Sequence, residues 1–407
     1  MTSRECGGSA PSRTLLVTND FPPRPGGIQA FVHELALRQP PGSLVVYASS
    51  WSGTARSGTA RSEAARVETA RFDAAQPFPV VRYPGSMLLP TPAVARTVST
   101  LAAAHHCTSA WFGAAAPLGL LAPALRRAGV ARIVAQTHGH EVGWAALPGA
   151  RSLLRRIATG VDAITYLGEY TRSRLASVMG GRSELHWLAP GVDGQMYHPG
   201  VDGDPIRLRY SLGDRPVVVC VSRLVPRKGQ DQLIAALPAV RSGVGVGDAA
   251  LLLVGGGRDE ARLRRLAARV GVAEHVVFTG VVAAAELPAH YAAGDVFAMP
   301  CRTRRAGLDV EGLGIVYLEA SATGLPVLAG DSGGAPDAVK HGETGYVVNG
   351  RDTAAIAARL TELLADPARA ARLGQAGRVW VEQSWRWDTM ATRMNDLLRP
   401  KTSGPCQ

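Results

Sequence analysis

Short β-branched and apolar runs alternate with stretches of helical periodicity along this 407-residue chain. Such alternation points to an α/β fold, in which parallel sheets are wrapped by helices. It begins twice. In the first half Thr14–Thr18 reads as a strand, a Pro/Gly loop follows, and Ile28, Phe31, Val32 and Leu35 then fall at i, i+3, i+4 and i+7 of a helix. Ser43–Ala48, Ile133–Gln136 and Ala163–Leu167 are further predicted strands. Near residue 200 the run Pro199-Gly200-Val201-Asp202-Gly203-Asp204-Pro205 reads as a turn-rich linker, so a first domain is expected over 1–200. The second series holds Val217–Val221, Leu251–Val254, Val276–Thr279, Val296–Met299, Pro326–Ala329 and Tyr346–Val348, with helices from about Gln230 and over Glu260–Val270. Two doubly wound domains facing a cleft are the expectation, and ligands of open parallel sheets bind beyond the carboxyl ends of the strands.

With 46% hydrophobic and 19% charged residues the chain can bury a sizeable core, which excludes a disordered protein. A formal net charge of +11 favours partners that carry phosphate or an anionic membrane surface. Yet Lys228, Lys340 and Lys401 are the only lysines among 44 basic residues, and that skew beside abundant Ala and Gly reads as base bias rather than selection for a polyanion. No nucleic-acid partner is expected. Cys6, Cys107, Cys220, Cys301 and Cys406 are scattered, odd in number and without a CxxC pair, which argues against a disulfide framework and a zinc site and fits a reducing cytoplasm. The first apolar stretch, Leu15–Val17, is too short for a signal-peptide core, and the longest, from Gly113 to Leu125, is interrupted by prolines and too short to span a bilayer. Between Ser52 and Arg71 arginine recurs at Arg56, Arg61, Arg66 and Arg71. That spacing turns successive arginines about 140° on a helix, so the segment is expected to be a low-complexity surface loop, with a basic contact for lipid headgroups as the alternative.

Several segments carry candidate chemistry. Gly26-Gly27-Ile28 lies where a strand-derived loop opens a helix, so its amides suit an anion, although a tight turn after Pro22-Pro23 explains the glycines equally. Ser222-Arg223-Leu224-Val225-Pro226-Arg227-Lys228-Gly229 follows a strand and precedes a helix, which sets Arg223 and Lys228 at the mouth of the second domain. A forked guanidinium and a compact ammonium together suit a diphosphate. Glu311 and Glu319 lie eight residues apart around Gly312-Leu313-Gly314-Ile315-Val316, about 12 Å if the span were helical. A retaining glycosidase needs its carboxylates about 5 Å apart, so two separate hydroxyl-binding jobs on one elongated ligand fit better, with phosphate against the amides between. His138, directly after a strand in Thr137-His138-Gly139-His140-Glu141, fits a cleft histidine that touches a polar substrate. A metal is not expected there, because the HExxH spacing and a further ligand cluster are missing. Gly330-Asp331-Ser332-Gly333-Gly334 matches the GxSxG elbow, but without a convincing Asp and then His downstream it does not read as a serine hydrolase.

Taken together, these residues resemble the retaining glycosyltransferases of the GT-B fold, in the large sequence family numbered four. The resemblance rests on Gly26-Gly27-Ile28, His138, Gly191-Val192-Asp193, Ser222-Arg223-Leu224 with Lys228-Gly229, the Glu311/Glu319 spacing and Ser332-Gly333-Gly334. Within the family, Val17-Thr18-Asn19-Asp20-Phe21-Pro22-Pro23-Arg24, Gly139-His140-Glu141-Val142-Gly143-Trp144, Leu224 to Asp231 and Gly307 to Glu319 are similar to the actinobacterial mannosyltransferases that build an α-1,6 linkage on phosphatidylinositol mannosides from GDP-mannose. The resemblance implies two Rossmann-like domains, an acceptor-side one over 1–200 and a nucleotide-sugar-binding one over 201–384, and a C-terminal helix within 385–407 that crosses back. It implies catalytic roles for His138, Arg223, Lys228 and Glu311. Arg223 and Lys228 would hold the donor diphosphate, Glu311 the mannose hydroxyls and Glu319 the ribose. Gly27 and Ile28 would approach the phosphate side of the donor, His138 its sugar, Val282 the guanine through its backbone, and the segment Gly312, Leu313, Gly314, Ile315 and Val316 the phosphate. No metal or cofactor is implied beyond GDP-mannose as donor substrate. The implied partners are a nucleotide sugar and a glycophospholipid on an anionic membrane surface, reached peripherally from the cytoplasm at the inner face of the plasma membrane; Tyr83–Pro90 reads either as an exposed apolar stretch near basic residues that contacts the membrane or, equally, as ordinary core packing. Two features depart from the pattern: the arginine repeat looks inserted, and Arg305-Ala306 stands where the relatives have glycines. Another donor, a small-molecule acceptor, a nucleotide-sugar epimerase and a non-catalytic binding protein stay open as readings.

Overall fold

A computed structural model describes residues 12–51 and 59–401. The chain divides into two compact units. One takes the residues up to Leu167, Arg172–Leu188 and those from Met390 onward; the other takes Gly168–Thr171 and Ala189–Thr389. The division falls at Leu188/Ala189, ahead of the proline linker near 200. Residues 191–203 pack into the second unit: Val192 N donates to Trp385 O at 2.7 Å, and a Cβ on Gly203 would meet Ala292 C at 2.5 Å.

The first unit is built on a seven-stranded sheet, formed by β1 (Arg13–Thr18), β2 (Leu44–Ser49), β3 (Val80–Tyr83), β4 (Cys107–Phe112), β5 (Arg132–Gln136), β6 (Ala163–Tyr166) and β7 (Glu184–Trp187). Its order is β3-β2-β1-β4-β5-β6-β7 and every pairing is parallel. The second unit holds a six-stranded sheet of β8 (Val217–Val221), β9 (Ala250–Val254), β10 (Val276–Gly280), β11 (Val296–Met299), β12 (Val327–Gly330) and β13 (Gly345–Val348). Its order is β10-β9-β8-β11-β12-β13, again parallel throughout. Strands β2, β8 and β9 are buried at every residue. That explains their unbroken apolar runs: a parallel strand covered by helices on both faces has no side to turn to water. Each order reverses once, between β1 and β4 and between β8 and β11, and such switch points are where ligands settle.

Three strands escaped the apolar pattern. β3 and β7 are edge strands of four residues each, and β7, Glu-Leu-His-Trp, leaves Glu184 exposed. β4 is interior but mixed, because Ser109 inside it is fully buried and its Oγ donates to Leu398 O at 2.6 Å.

The arginine repeat needs correction. Thr59–Ala74 is a helix and not a loop; Arg56 lies outside the described residues. Alanine, arginine and glutamate are strong helix formers, and Ala65 and Thr69, one turn apart, are buried while Arg66 and Arg71 face water. The 140° arithmetic correctly denies the arginines a common face, but helix formation does not require one. Tyr83–Pro90 combines the two readings open for it, core packing and exposure. Leu88 is fully buried, clasped by Asn19, whose Nδ2 donates to Leu88 O at 2.9 Å while its Oδ1 accepts from Leu88 N at 2.6 Å. Only Met87 and Leu89 keep large exposed apolar surfaces, at 58% and 48%. Among the described residues no helix is long and apolar enough to cross a membrane.

The last helix, Trp387–Leu398, ends in the first unit, where buried Arg132 donates from Nε to Leu397 O at 2.8 Å. Arg132→Ala removes this buried charged donor and is expected to cost about 1.5–3 kcal/mol, read as a lowered midpoint in thermal unfolding. An unchanged midpoint would mean that Arg132 does not anchor the C-terminal segment.

Candidate functional site

In the second unit the chemistry gathers where β8 and β11 part. The loop after β8 is held by backbone bonds, since Ser222 N donates to Val254 O (2.9 Å) and Leu224 N to Gly256 O (3.0 Å). Gln230, at the start of helix Gln230–Arg241, adds Nε2 bonds to Ser222 Oγ (2.8 Å) and Arg223 O (3.0 Å). With its backbone fixed in this way, Arg223 projects an exposed guanidinium that forms no ion pair among the described residues.

Lys228 is buried, and its Nζ meets Glu311 Oε2 at 2.7 Å. Both charges are withdrawn from water, so removing either partner would leave the other stranded, a loss larger than the net worth of the pair. Arg227 brackets the same carboxylate at 3.7 Å and reaches Asp309 at 3.6 Å. Behind the loop Arg302 makes a two-point contact with Asp231 at 2.9 and 2.7 Å, and its N–H donates to Arg227 O at 2.8 Å. Burial opposes ionisation of Asp231, but Arg302 and Arg262 win and hold its pKa below the usual carboxylate value.

Glu311 lies before the helix Ile315–Ala322, not within it. The first amide of that turn with a backbone partner is Tyr317 N, bonded to Gly314 O at 3.0 Å. Ile315 and Val316 therefore present N–H groups at a helix N-terminus, beside Gly312, Leu313 and Gly314, in an arrangement suited to an anion. The Gly-Asp-Ser-Gly-Gly string supports this segment from behind. Ser332 is fully buried, its Oγ lies 3.1 Å from Thr303 Oγ1, and it accepts from Glu311 N at 3.3 Å. Gly334 N donates to Glu311 O at 2.9 Å, and a Cβ on Gly333 or Gly334 would sit 2.1 Å from Glu311 O or Gly312 O. A serine so enclosed is a brace, not an exposed nucleophile.

Glu319, one helical turn inside, accepts a hydrogen bond from Tyr291 Oη at 2.6 Å. Burial raises the Glu319 pKa above its ordinary value of 4.5, and the tyrosine bond offsets part of that rise. Tyr291, itself fully buried, carried no sequence signal, because a tyrosine inside a short helix reads as core. Val282 lies just beyond β10 and is partly buried. Arg305 and Ala306 both adopt φ of 51°, in the left-handed region that glycine occupies without strain.

In the first unit the candidates again follow the strands beside the reversal. Gly27 opens the helix Gly27–Leu37 after β1, and Gln29 anchors that loop through a 2.6 Å bond to Asp20 Oδ1. The first backbone bond of the turn joins Ala30 N to Gly26 O (3.0 Å), so the amides of Gly27 and Ile28 are available to an anion. His138, after β5, is buried. Its Nε2 donates to Gly113 O, its N–H donates to Glu141 Oε2 at 3.0 Å, and its ring stacks on His140 at 6.3 Å. Burial lowers the His138 pKa below 6.5 against the opposing pull of Glu141, so the ring is neutral with Nδ1 as its free lone pair. Among the described residues no three His, Cys, Asp or Glu side chains gather as a metal site. Within the second unit the structure thus joins Lys228, Glu311 and the Gly312–Val316 turn, while Gly27, Ile28 and His138 belong to the first.

The family described as Glycosyl transferases group 1 matches residues 208–380. A relative from Mycolicibacterium smegmatis, named GDP-mannose-dependent alpha-(1-6)-phosphatidylinositol monomannoside mannosyltransferase, is 55% identical over 94% of this chain and 97% of its own. A relative of the same name from Mycobacterium tuberculosis is 53% identical over 95% and 98%. A relative from Corynebacterium glutamicum, named for the monoacylated form of the same lipid, is 46% identical over 96% and 99%. Among solved structures, Anabaena Alr3699/HepE in complex with UDP superposes with a TM-score of 0.75 at 19% identity, over 95% of this chain and 99% of that one. The architecture is that of the GT-B glycosyltransferases.

Two outcomes follow. Gly334→Ala is expected to displace Glu311 and Gly312 and weaken binding of a nucleotide-sugar donor about 10-fold or more, measured by calorimetry; undiminished affinity would show that the brace is dispensable. Because Glu319 binds its proton more tightly folded than unfolded, its contribution to stability falls as pH rises from 4.5 through its raised pKa. Glu319→Gln should therefore flatten the decline of thermal stability with rising pH between 4.5 and that raised pKa, and a decline as steep as in the parent chain would contradict the assignment.

Proposed function

This chain belongs to the group 1 glycosyl transferases, and from that premise we propose that it transfers mannose from GDP-mannose to a phosphatidylinositol mannoside lipid, forming an α-1,6 linkage with the anomeric configuration retained. The observation that carries the reading is the buried Lys228–Glu311 pair beside the open amides of Ile315 and Val316, in a chain that matches those mannosyltransferases over nearly its whole length.

The residues divide the work by their chemistry. Lys228 is held against Glu311 by charge, and the three N–H donors of its ammonium suit diphosphate oxygens. Arg223 adds a forked donor from the solvent side. With the helix amides these cations stabilise the charge that grows on the departing diphosphate, the main source of rate enhancement open to a site of this kind. Glu311, oriented by Ser332 and held against Lys228, takes hydroxyls of the mannose, and Glu319 takes those of the ribose. In the first unit Gly27 and Ile28 serve the phosphate side, while the neutral His138 offers Nδ1 to a sugar hydroxyl. Val282 meets the guanine through its backbone. No carboxylate is assigned as a nucleophile, and we favour displacement on the face from which the diphosphate leaves. The cations take the part of a metal, so no metal or other cofactor is needed. The reaction takes place at the inner face of the plasma membrane, with the protein bound peripherally from the cytoplasm.

The test is transfer of radiolabel from GDP-mannose into a lipid extract containing phosphatidylinositol mannosides, with UDP-glucose in parallel and a chelator in a third arm. Label from GDP-mannose in a dimannosylated lipid, undiminished by chelator, is the expected result; label from UDP-glucose alone would overturn the donor. Lys228→Ala should lower turnover by about 10²-fold or more, and a parental rate in that variant would end the assignment of Lys228.

A further inference from the structure

The carboxylate of Glu319 has one oxygen bonded and one free. The helix Ile315–Ala322 sets it half-buried against the short helix Leu287–Ala292, where Tyr291 Oη donates to Glu319 Oε2 at 2.6 Å. That length is typical of a charge-assisted O–H···O⁻ bond, roughly twice as strong as a neutral one. Oε2 is thereby engaged, while Oε1 carries no hydrogen bond among the described residues.

Tyr291 is a donor with little freedom to move. Fully buried, it packs edge-on against Tyr197 (5.7 Å, 81°) and tilted against Phe297 of β11 (5.7 Å, 36°). Its neighbour His290, also fully buried, donates from Nδ1 to Glu286 O at 2.8 Å and fixes the same short helix. Arg378 clamps the other wall, donating to Tyr197 O at 2.7 Å and to Ala322 O at 3.0 Å, the last residue of the helix that carries Glu319. Tyr317 supplies the contrast. It too is fully buried and lies edge-on to Phe297 (5.8 Å, 89°), but its hydroxyl donates to a backbone carbonyl, Met299 O, at 2.7 Å, the ordinary way to satisfy a buried phenol. Tyr291 gives its hydroxyl instead to a carboxylate at the donor side of the unit. Among the described residues the titratable groups that face Glu319 are Tyr291 and Tyr197; burial raises the pKa of both, so both keep their protons near neutral pH. Burial also raises the pKa of Glu319, and the bond from Tyr291 works against that rise, which favours the ionised, hydrogen-bond-accepting form.

We propose that Tyr291 is the positioning residue of the nucleoside subsite: its hydroxyl locks the Glu319 carboxylate so that the free oxygen accepts from the hydroxyls of the donor's ribose. The proposal rests on the reading of Glu319 as the ribose acceptor given above and adds to it the residue that sets the orientation and charge of that acceptor. A site built to accept from a hydroxyl rejects an analogue that lacks it, because the buried acceptor is then left unpaired. Discrimination between ribose and deoxyribose is therefore the property that Tyr291 controls.

The test compares the affinity of the full chain for GDP and for 2′,3′-dideoxy-GDP by calorimetry. The parent chain is expected to prefer GDP by about 10-fold or more, as a hydrogen bond to a charged group allows. Tyr291→Phe keeps the ring, deletes only the hydroxyl, and should lose most of that preference. With GDP-mannose the same variant should raise KM by about 10-fold and leave kcat within about threefold, the split expected when binding remote from the reacting bond is lost. On acidification its GDP affinity should fall away at a higher pH than the parent's, because without the tyrosine bond the pKa of Glu319 rises further. Tyr317→Phe removes a hydroxyl from the same aromatic cluster and should lower the melting temperature while leaving the preference for GDP intact. Circular dichroism and melting verify that each variant is folded. A Tyr291→Phe chain that keeps the parent's preference, or a Tyr317→Phe chain that loses as much of it, would overturn the proposal. Glu319→Ala separates the two readings. Preference lost in Glu319→Ala but kept in Tyr291→Phe defeats the positioning role alone, whereas preference kept in Glu319→Ala, or a parent chain with no preference or no affinity for GDP, defeats the ribose reading and the proposal with it.

Discussion

The chemistry of this protein depends on parallel strands buried on both faces. A strand such as β8, Val-Val-Val-Cys-Val, has no polar side chain to contribute and no exposed face on which to place one. Function is consequently pushed to the strand tips, where the chain leaves the sheet and its backbone amides come free. At the reversal of strand order the loops on either side diverge, and the open amides there belong to helices that begin with glycine or just after it, at Gly27 and Ile315. The same burial that makes the sheets stable thus decides where charge can be displayed.

At the second reversal the sequence solves a harder problem, that of keeping a lysine and a glutamate out of water. Neither Lys228 nor Glu311 would be tolerated there alone, and their 2.7 Å contact is sustained by residues that touch no ligand in any role assigned above. Arg302 and Asp231 hold the lysine loop, and Ser332, Gly333 and Gly334 hold the glutamate loop. The string that looks like a protease motif is better explained by sterics, since only glycine lets one loop backbone approach another so closely.

Most of the architecture was legible in the chain because its signals are local. Ten of the strands announce themselves as apolar runs, and the helices after β1 and β8 by their periodicity and glycines. Edge strands β3 and β7 were not legible, since a strand with one free side can be polar. Nor was β4, whose Ser109 is polar in sequence yet buried through a bond to Leu398, a residue far away along the chain. The Thr59–Ala74 helix misled for the opposite reason: repetition of Thr-Ala-Arg looked like low complexity, but the residue types repeated are those that helices favour.

The candidate site divides along the same line. The identities of Arg223, Lys228, Glu311, Glu319, His138 and the glycine turns were determined by the sequence, because charge type and the absence of a side chain are properties of single residues. Their states were decided only by the tertiary structure. Burial lowers the pKa of His138, against the opposing bond to Gly113, and burial raises that of Glu319, against the bond from Tyr291, while the pairing of Lys228 comes from a partner supplied by a different loop. Ionisation and pairing are set by dielectric surroundings and distances of a few ångströms between residues remote in the chain, and no local pattern carries that information.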